Sequence, residues 1–422
     1  MALLHDTRSR PGPGLDAGLD AGLDAGNHRG DDEARRYRRM MTALLAAGIA
    51  TFAELYAVQG VLPEISATLG VTAPQAALSV SAATTGLALG VLPWAWGADR
   101  IGRLPAMKLS VAGAVVLGTL ACLAPTLELL LTLRFLAGAA LGGVPVLAVS
   151  YVHEQLSGPR AAAAAAAYIS GTTIGGAAGR LVAGPLAPLV GWRGALLAVG
   201  ALSLAAAVTF VLLAPPPQHP ARSRLPQLPR LRAALRNRVL VGFYLAAPLV
   251  TGSFVAVYNF LGFRLAAAPF GLPTALISLI FLTYAAGTFS SRWAGAWLPR
   301  IGHTRVVLAG LAAMAIGLAA TLPDSLVPLI AGLIVFTAGF FVVHAAFVST
   351  IGAVAAPDHR GQASALYTIG FYVGSGVLGW ALGLLFERGT WALMAAAITA
   401  LLAVVAVLVS ATAARARSAA RG

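Results

Sequence analysis

Glu54, Arg134 and Arg180 are charged side chains set inside long apolar runs, where charge is costly. Glu54 is the only acidic residue deep within such a run. At ~1.5 Å per helical residue from position 41, it lies ~20 Å into an apolar layer, past the midplane. A carboxyl in those surroundings can be neutral as well as charged, so it can load a proton on one side and release it on the other. The other reading makes it a structural partner for Arg134 or Arg180. An arginine within a membrane span costs ~2.5–3.5 kcal/mol on insertion scales and faces a bundle interior or water. Arg134 stands a turn or two from the end of its run, so a snorkelling or structural role competes with proton transfer. Arg180 has no carboxylate on its own segment. It would attract an anionic group or a proton-carrying carboxylate, or else bond to helix carbonyls.

The elements that must position these groups follow from composition. Hydrophobic residues fill 58% of 422 positions and charged residues only 10%; the mean hydropathy is +0.82. A water-exposed surface needs about 25% charge, so the missing solvent is lipid. The apolar runs are long and do not alternate, which selects helices over barrel strands. Twelve spans are expected at 41–62, 75–96, 106–124, 128–152, 162–187, 192–213, 239–261, 274–291, 304–322, 326–348, 362–386 and 390–411, each near the ~20 residues a bilayer requires. The fold class is thus an all-α membrane protein with two six-helix bundles, 41–213 and 239–411. Residues 1–40, with three Leu-Asp-Ala-Gly repeats, read as a disordered cytoplasmic tail. The Pro- and Arg-rich segment 214–238 reads as a cytoplasmic linker, and 412–422 as a second cytoplasmic tail.

Lys and Arg settle the expected orientation. With the amino terminus inside, 21 flank the inner ends of spans, and only Arg193, Arg264 and Arg388 flank the outer ends. Both termini are therefore expected in the cytoplasm. The net charge of +14 does not indicate nucleic acid, because the basic residues are scattered between apolar runs. The single cysteine, Cys122, excludes a disulfide framework.

The halves echo one another. Phe52, Tyr56 and Gly60 recur 202 residues later as Phe254, Tyr258 and Gly262, and Arg160 recurs as Arg360. Tyr168, Gly171, Gly175, Gly184 and Trp192 recur 199 residues later as Tyr367, Gly370, Gly374, Gly383 and Trp391. Six spans separate the copies, so the repeat is parallel, related by a pseudo-two-fold axis along the membrane normal, and a binding site belongs between the halves. Gly171, Gly175 and Gly179 form a stripe at spacing four that allows close helix approach.

The turn after the second span reads Gly97-Ala98-Asp99-Arg100-Ile101-Gly102-Arg103. Asp99 at a helix end can pair with Arg100, Arg103 or a neighbouring helix terminus and hold one conformation closed. Gly102 permits the tight turn. Together with Ala95, which stands in place of a glycine, this segment resembles the G-x-x-x-D-R-x-G-R signature of the major facilitator superfamily. The second half carries a degenerate copy, Gly295 to His303, with Pro299 at the aspartate position, so a charge latch is expected in the first half only. Arg134 and Gly138 match the family's R-x-x-x-G, whose arginine is associated with proton transfer in proton-driven members. Gly184-Pro185 resembles the end of the family's antiporter signature, but Arg180 and Pro188-Leu189 interrupt it.

Strings such as Leu55-Tyr56-Ala57-Val58-Gln59, Gly179-Arg180-Leu181 and Tyr258-Asn259-Phe260 resemble the YnfM (acriflavine-sensitivity) efflux branch. That resemblance implies substrate contacts at Arg180, Gln59, Tyr258, Asn259 and Tyr372, although each polar group is equally suited to an interhelical hydrogen bond. It implies a monomer in a bacterial inner membrane, with a small-molecule substrate, a proton as coupling ion and no cofactor. The expected function is proton-coupled efflux by alternating access. A uniporter or symporter for a sugar or organic acid, and a non-transporting sensor, are the alternatives. An enzyme is not expected: no H-E-x-x-H, G-x-S-x-G or phosphate-binding loop occurs.

Overall fold

The computed structural model describes residues 15–217, 227–356 and 359–419, and among them every regular element is helical. Among the described residues eleven helices are long and apolar enough to cross a membrane. One of them, Gly158–Leu213, has 56 residues and is two crossings in one. At ~1.5 Å per residue it would reach far beyond a bilayer, and Gly191 breaks it with φ of 71°. The chain therefore makes twelve spans. The third, ninth and tenth are Arg103–Ala121, His303–Ala320 and Leu326–Val354.

With no hydrophobic force between helices in lipid, close van der Waals approach has to hold them together. The glycine stripe supplies it. A Cβ on Gly171, Gly175 or Gly179 would fall 2.1, 2.5 or 2.5 Å from the carbonyl oxygens of Leu45, Ile49 and Ala53, so the fifth span lies backbone to backbone on the first. In the second half, Gly370 faces the Tyr244 carbonyl and Gly374 faces Pro248. Leu45 and Tyr244, like Gly171 and Gly370, are 199 residues apart. The repeat read from the sequence is thus a repeat of contacts.

Three spans are not continuous α-helix: the fourth breaks at Gly142, between Leu127–Leu141 and Gly143–Gln155, and two others pass through 3-10 segments. The first runs Leu15–Tyr56, tightens into a 3-10 segment at Ala57–Val61 and resumes at Leu62–Leu69. Pro63 contributes to the break because it has no N–H to return to the preceding turn. The eighth opens at Thr274–Ile277, passes through a 3-10 segment at Ser278–Thr283 and continues as Tyr284–Ile301. Mid-helix 3-10 stretches mark hinges or strain.

Three boundaries differ from expectation. The tail expected to be disordered is helical from Leu15 onward. Near its end it touches the bundle: Glu33 pairs with Arg160, and Arg36 donates to Gln155 and to the Pro216 carbonyl. A docked segment supplies the nucleus from which a helix propagates. The linker holds a short helix, Gln227–Arg236, while 218–226 lie outside the described residues. The last helix continues to Ala419, past the expected end at 411.

Candidate functional site

The turn after the second span makes an ion pair, but with a partner absent from the sequence reading. Gly102 adopts φ of 91° and reverses the chain. Arg103 then reaches the end of the fourth span, pairing with Glu154 and donating to the Ser150 carbonyl at 3.0 Å. Asp99 lies close enough to Glu154 to act on its charge, and Arg100 is exposed. In the second half Gly302 turns with φ of 82°, and His303 Nδ1 shares a 2.7 Å hydrogen bond with Thr350. His303 and Thr350 stand 200 residues after Arg103 and Ser150. A histidine–hydroxyl hydrogen bond thus stands where the first half has an ion pair, and Val354 occupies the position 200 residues after Glu154.

Glu54 and Arg134 meet. Their side chains are 3.7 Å apart, and both are buried inside the first half. Arg134 also donates to the backbone carbonyls of Glu54 (3.0 Å), Leu55 (2.6 Å) and Ser79 (3.3 Å). Two of those carbonyls belong to the last α turn before the 3-10 segment, where regular helix bonding is lost. The arginine therefore caps a broken helix from the side. A cavity of about 10 Å³ lies beside the pair, bounded by Gly118, Cys122 and Leu196 among others, near the minimum for one water.

Arg180 stands elsewhere, where the two halves touch. Its Nε donates to Gln59 Oε1 at 2.8 Å, one terminal nitrogen donates to the Gly176 carbonyl at 2.7 Å, and the other is 3.5 Å from the Tyr284 hydroxyl. The guanidinium carbon lies 4.6 Å from the ring centroid of Tyr56, 4.8 Å from Phe281 and 4.9 Å from Tyr284. Among the described residues no carboxylate comes within ion-pair distance of it. Cation–π attraction reaches ~2 kcal/mol when desolvated, which offsets part of the burial cost. Tyr56 ends the first α segment, Phe281 lies within the second 3-10 stretch and Tyr284 follows it. Both helix breaks thus deliver their aromatic residues to one cation.

The other expected contacts surround this cage. Gln59 Nε2 donates to Asn259 Oδ1 at 2.7 Å, joining the halves, and Asn259 Nδ2 donates to the Gly379 carbonyl at 3.2 Å. Gly379 is the counterpart of Arg180 at the 199 offset, so only one half contributes a cation. Tyr258 is turned away, its hydroxyl 2.6 Å from both Thr283 and Thr337, while its ring packs 4.8 Å from Tyr284. Phe254 braces the same tyrosine at 5.5 Å. Tyr372 does not reach Arg180's hydrogen bonds; it is buried edge-on against Phe371 at 5.2 Å. Sequence reasoning missed Phe281, Tyr284 and Glu154. The signal for Tyr56 was present in the branch-like string around Gln59.

The contacts between halves continue from the cage toward the end of the bundle opposite the Asp99 turn. Gly184 packs on Ser278, Gly262 on Pro63, and Thr274 hydrogen-bonds Glu64. Two half-bundles meeting over a buried polar site, with an ion-paired turn at the other end, make a specific architecture. The sequence model described as Major Facilitator Superfamily matches residues 44–302. The chain belongs to the major facilitator superfamily. It is a multi-pass membrane transporter, not an enzyme, with the bilayer and a small-molecule substrate as its partners. The transporter is 36% identical to the inner membrane transport protein YnfM of Escherichia coli (strain K12), over 89% of this chain and 90% of that one. It is 34% identical to the uncharacterized MFS-type transporter YybF of Bacillus subtilis (strain 168), over 84% and 88%. Among solved structures, the nucleoside transporter NupG superposes with a TM-score of 0.73 at 16% identity, covering 88% of this chain and 99% of that one. A bacterial homolog of the human lysosomal transporter Spinster, inward-facing and unoccupied, gives 0.72 at 19% identity, covering 90% and 96%. Those two likenesses concern the fold.

Proposed function

We propose that this transporter exports small organic compounds in exchange for protons by alternating access. The observation that carries the reading is the Arg180 cage, whose walls come from both halves. Parting the halves necessarily takes Phe281 and Tyr284 away from a guanidinium held by Gln59 and Gly176. A site that is closed when the halves meet and opened when they part is what alternating access needs. Arg180, Gln59 and Asn259 would touch substrate, with Tyr258 and Tyr372 behind them, and the Asp99, Arg100, Gly102 and Arg103 turn would gate the opposite end.

Glu54 supports proton coupling. It is the one carboxylate deep within the spans, it pairs with Arg134, and it lies on the same segment as Tyr56 and Gln59. Protonating it would remove the ionic contact while leaving Arg134 on its carbonyls, changing the load on the 3-10 segment that presents Gln59. In this reading the protein acts as a monomer in a bacterial inner membrane with both termini cytoplasmic. Proteoliposomes carrying an internal pH dye test the exchange: adding substrate should drive proton movement opposite to substrate. Flux indifferent to an imposed pH gradient rejects it. Labelling single cysteines at the termini, with Cys122 replaced, tests the orientation.

The charge of Arg180 favours a second reading, symport or uniport of an organic acid. Substrate movement parallel to protons in the same vesicles selects it.

A further inference from the structure

We infer that the substrate is a planar organic anion, a carboxylate or sulfonate on a flat apolar body, whose charged group pairs with Arg180 while its body takes the place of the withdrawn rings. The inference rests on the transport reading of the cage and deepens it.

Arg180 is 2% exposed, yet all three of its hydrogen-bond partners are neutral. Enclosing a cation without a counter-ion costs several kcal/mol. Arg134, at the same burial, has a carboxylate beside it and three carbonyls around it. The fold thus supplies a counter-ion to one buried arginine and withholds it from the other. A guanidinium has five N–H donors in a planar fork suited to a two-oxygen anion; the hydrogen bonds present use one on each nitrogen, and the contact to Tyr284 is long. That leaves donors, and the charge, for a visitor.

The walls specify the rest of the ligand. Tyr56, Phe281 and Tyr284 present ring faces to the guanidinium, and Phe254, Tyr258 and Phe341 stand behind Tyr284. When the halves part, Phe281 and Tyr284 leave with the second half and Tyr56 stays with Arg180. The space they vacate is flat-sided and apolar. A cationic ligand gains nothing from the fork, and a neutral one can accept from it but brings no charge, so either leaves the cation uncompensated as the halves close again. An anion neutralises it, and so favours closure around the ligand.

The test uses the full chain in lipid nanodiscs, with benzoate and benzenesulfonate as probes against benzamide and trimethylphenylammonium. Melting temperature and direct titration are the readouts. The two anions should raise the melting temperature and bind at least tenfold more tightly than the neutral and cationic analogues. Arg180→Gln should abolish the difference. Gln59→Glu, which sets a carboxylate at the position of the 2.8 Å partner, should raise the melting temperature of the free protein and weaken anion binding at least tenfold; it serves even where Arg180→Gln fails to fold. Binding of benzamide or trimethylphenylammonium as tight as benzoate, binding of no probe, or unaltered benzoate binding by Gln59→Glu each overturns the inference. Flux of benzenesulfonate, which cannot cross lipid by protonation, separates the two claims. Binding that depends on Arg180 without flux keeps the anion site and removes the transport reading. Flux of a neutral aromatic that depends on Arg180 does the reverse.

Discussion

Arg134 and Arg180 are buried to the same extent, yet they do different work. Arg134 lies within one half, pairs with Glu54 and satisfies carbonyls that the broken first span leaves open. Arg180 lies between halves, meets no carboxylate among the described residues and is covered by rings that belong partly to the other half. A buried charge whose needs are met inside one rigid unit holds that unit together. A buried charge whose cover comes from a second unit reports whether the two are together.

The sharpest way to break this comparison is to delete Arg134. Arg134→Ala leaves Glu54 and three carbonyls without their donor, a loss of about 3–5 kcal/mol for one half of a buried pair, read as collapse of folded yield and melting temperature. The double variant Glu54→Leu with Arg134→Met should recover most of that loss, because a buried pair replaced by apolar groups is close to neutral. Next in size, Arg180→Met should leave the folding stability within about 1 kcal/mol of the parent, since no partner charge is stranded, while transport falls to background. Equal destabilisation by the two arginine variants would erase the distinction. Smaller again, Glu54→Gln keeps Arg134 on its carbonyls and should cost ~1–3 kcal/mol. It should abolish substrate accumulation driven by a pH gradient while substrate-for-substrate exchange persists. Tyr284→Phe should do least. It keeps the ring over Arg180 and removes only the 3.5 Å contact, so affinity should change less than about threefold, consistent with a weak hydrogen bond.

Much of the fold could be read from the sequence because in lipid the constraints are few and strong. Span length and the 199–202 offset gave twelve helices in two matched halves, and Gly171 and Gly370 show the offset surviving in three dimensions. The helical start at Leu15 was hidden because it depends on docking of Glu33 and Arg36 against residues more than a hundred positions away. Of the site, Gln59, Asn259 and Arg180 were found because polar groups stand out in apolar runs. Phe281 and Tyr284 were not, since aromatics in a span are commonplace until a fold places them over a cation. Glu154 was overlooked because nothing in the sequence marks the end of the fourth span as the partner of Arg103.

The seam between the first and fifth spans has a consequence for how this protein can change over generations. Because backbone touches backbone at Gly171, Gly175 and Gly179, any side chain gained there wedges the pair apart. That wall of the cavity is frozen, carrying Arg180 and Gln59 in fixed register. With the cage as the proposed substrate site, new ligand preferences would arise by repainting the facing wall, at Phe281, Tyr284 and their neighbours. A saturation library should show a ladder of intolerance at every fourth position on one side and latitude on the other.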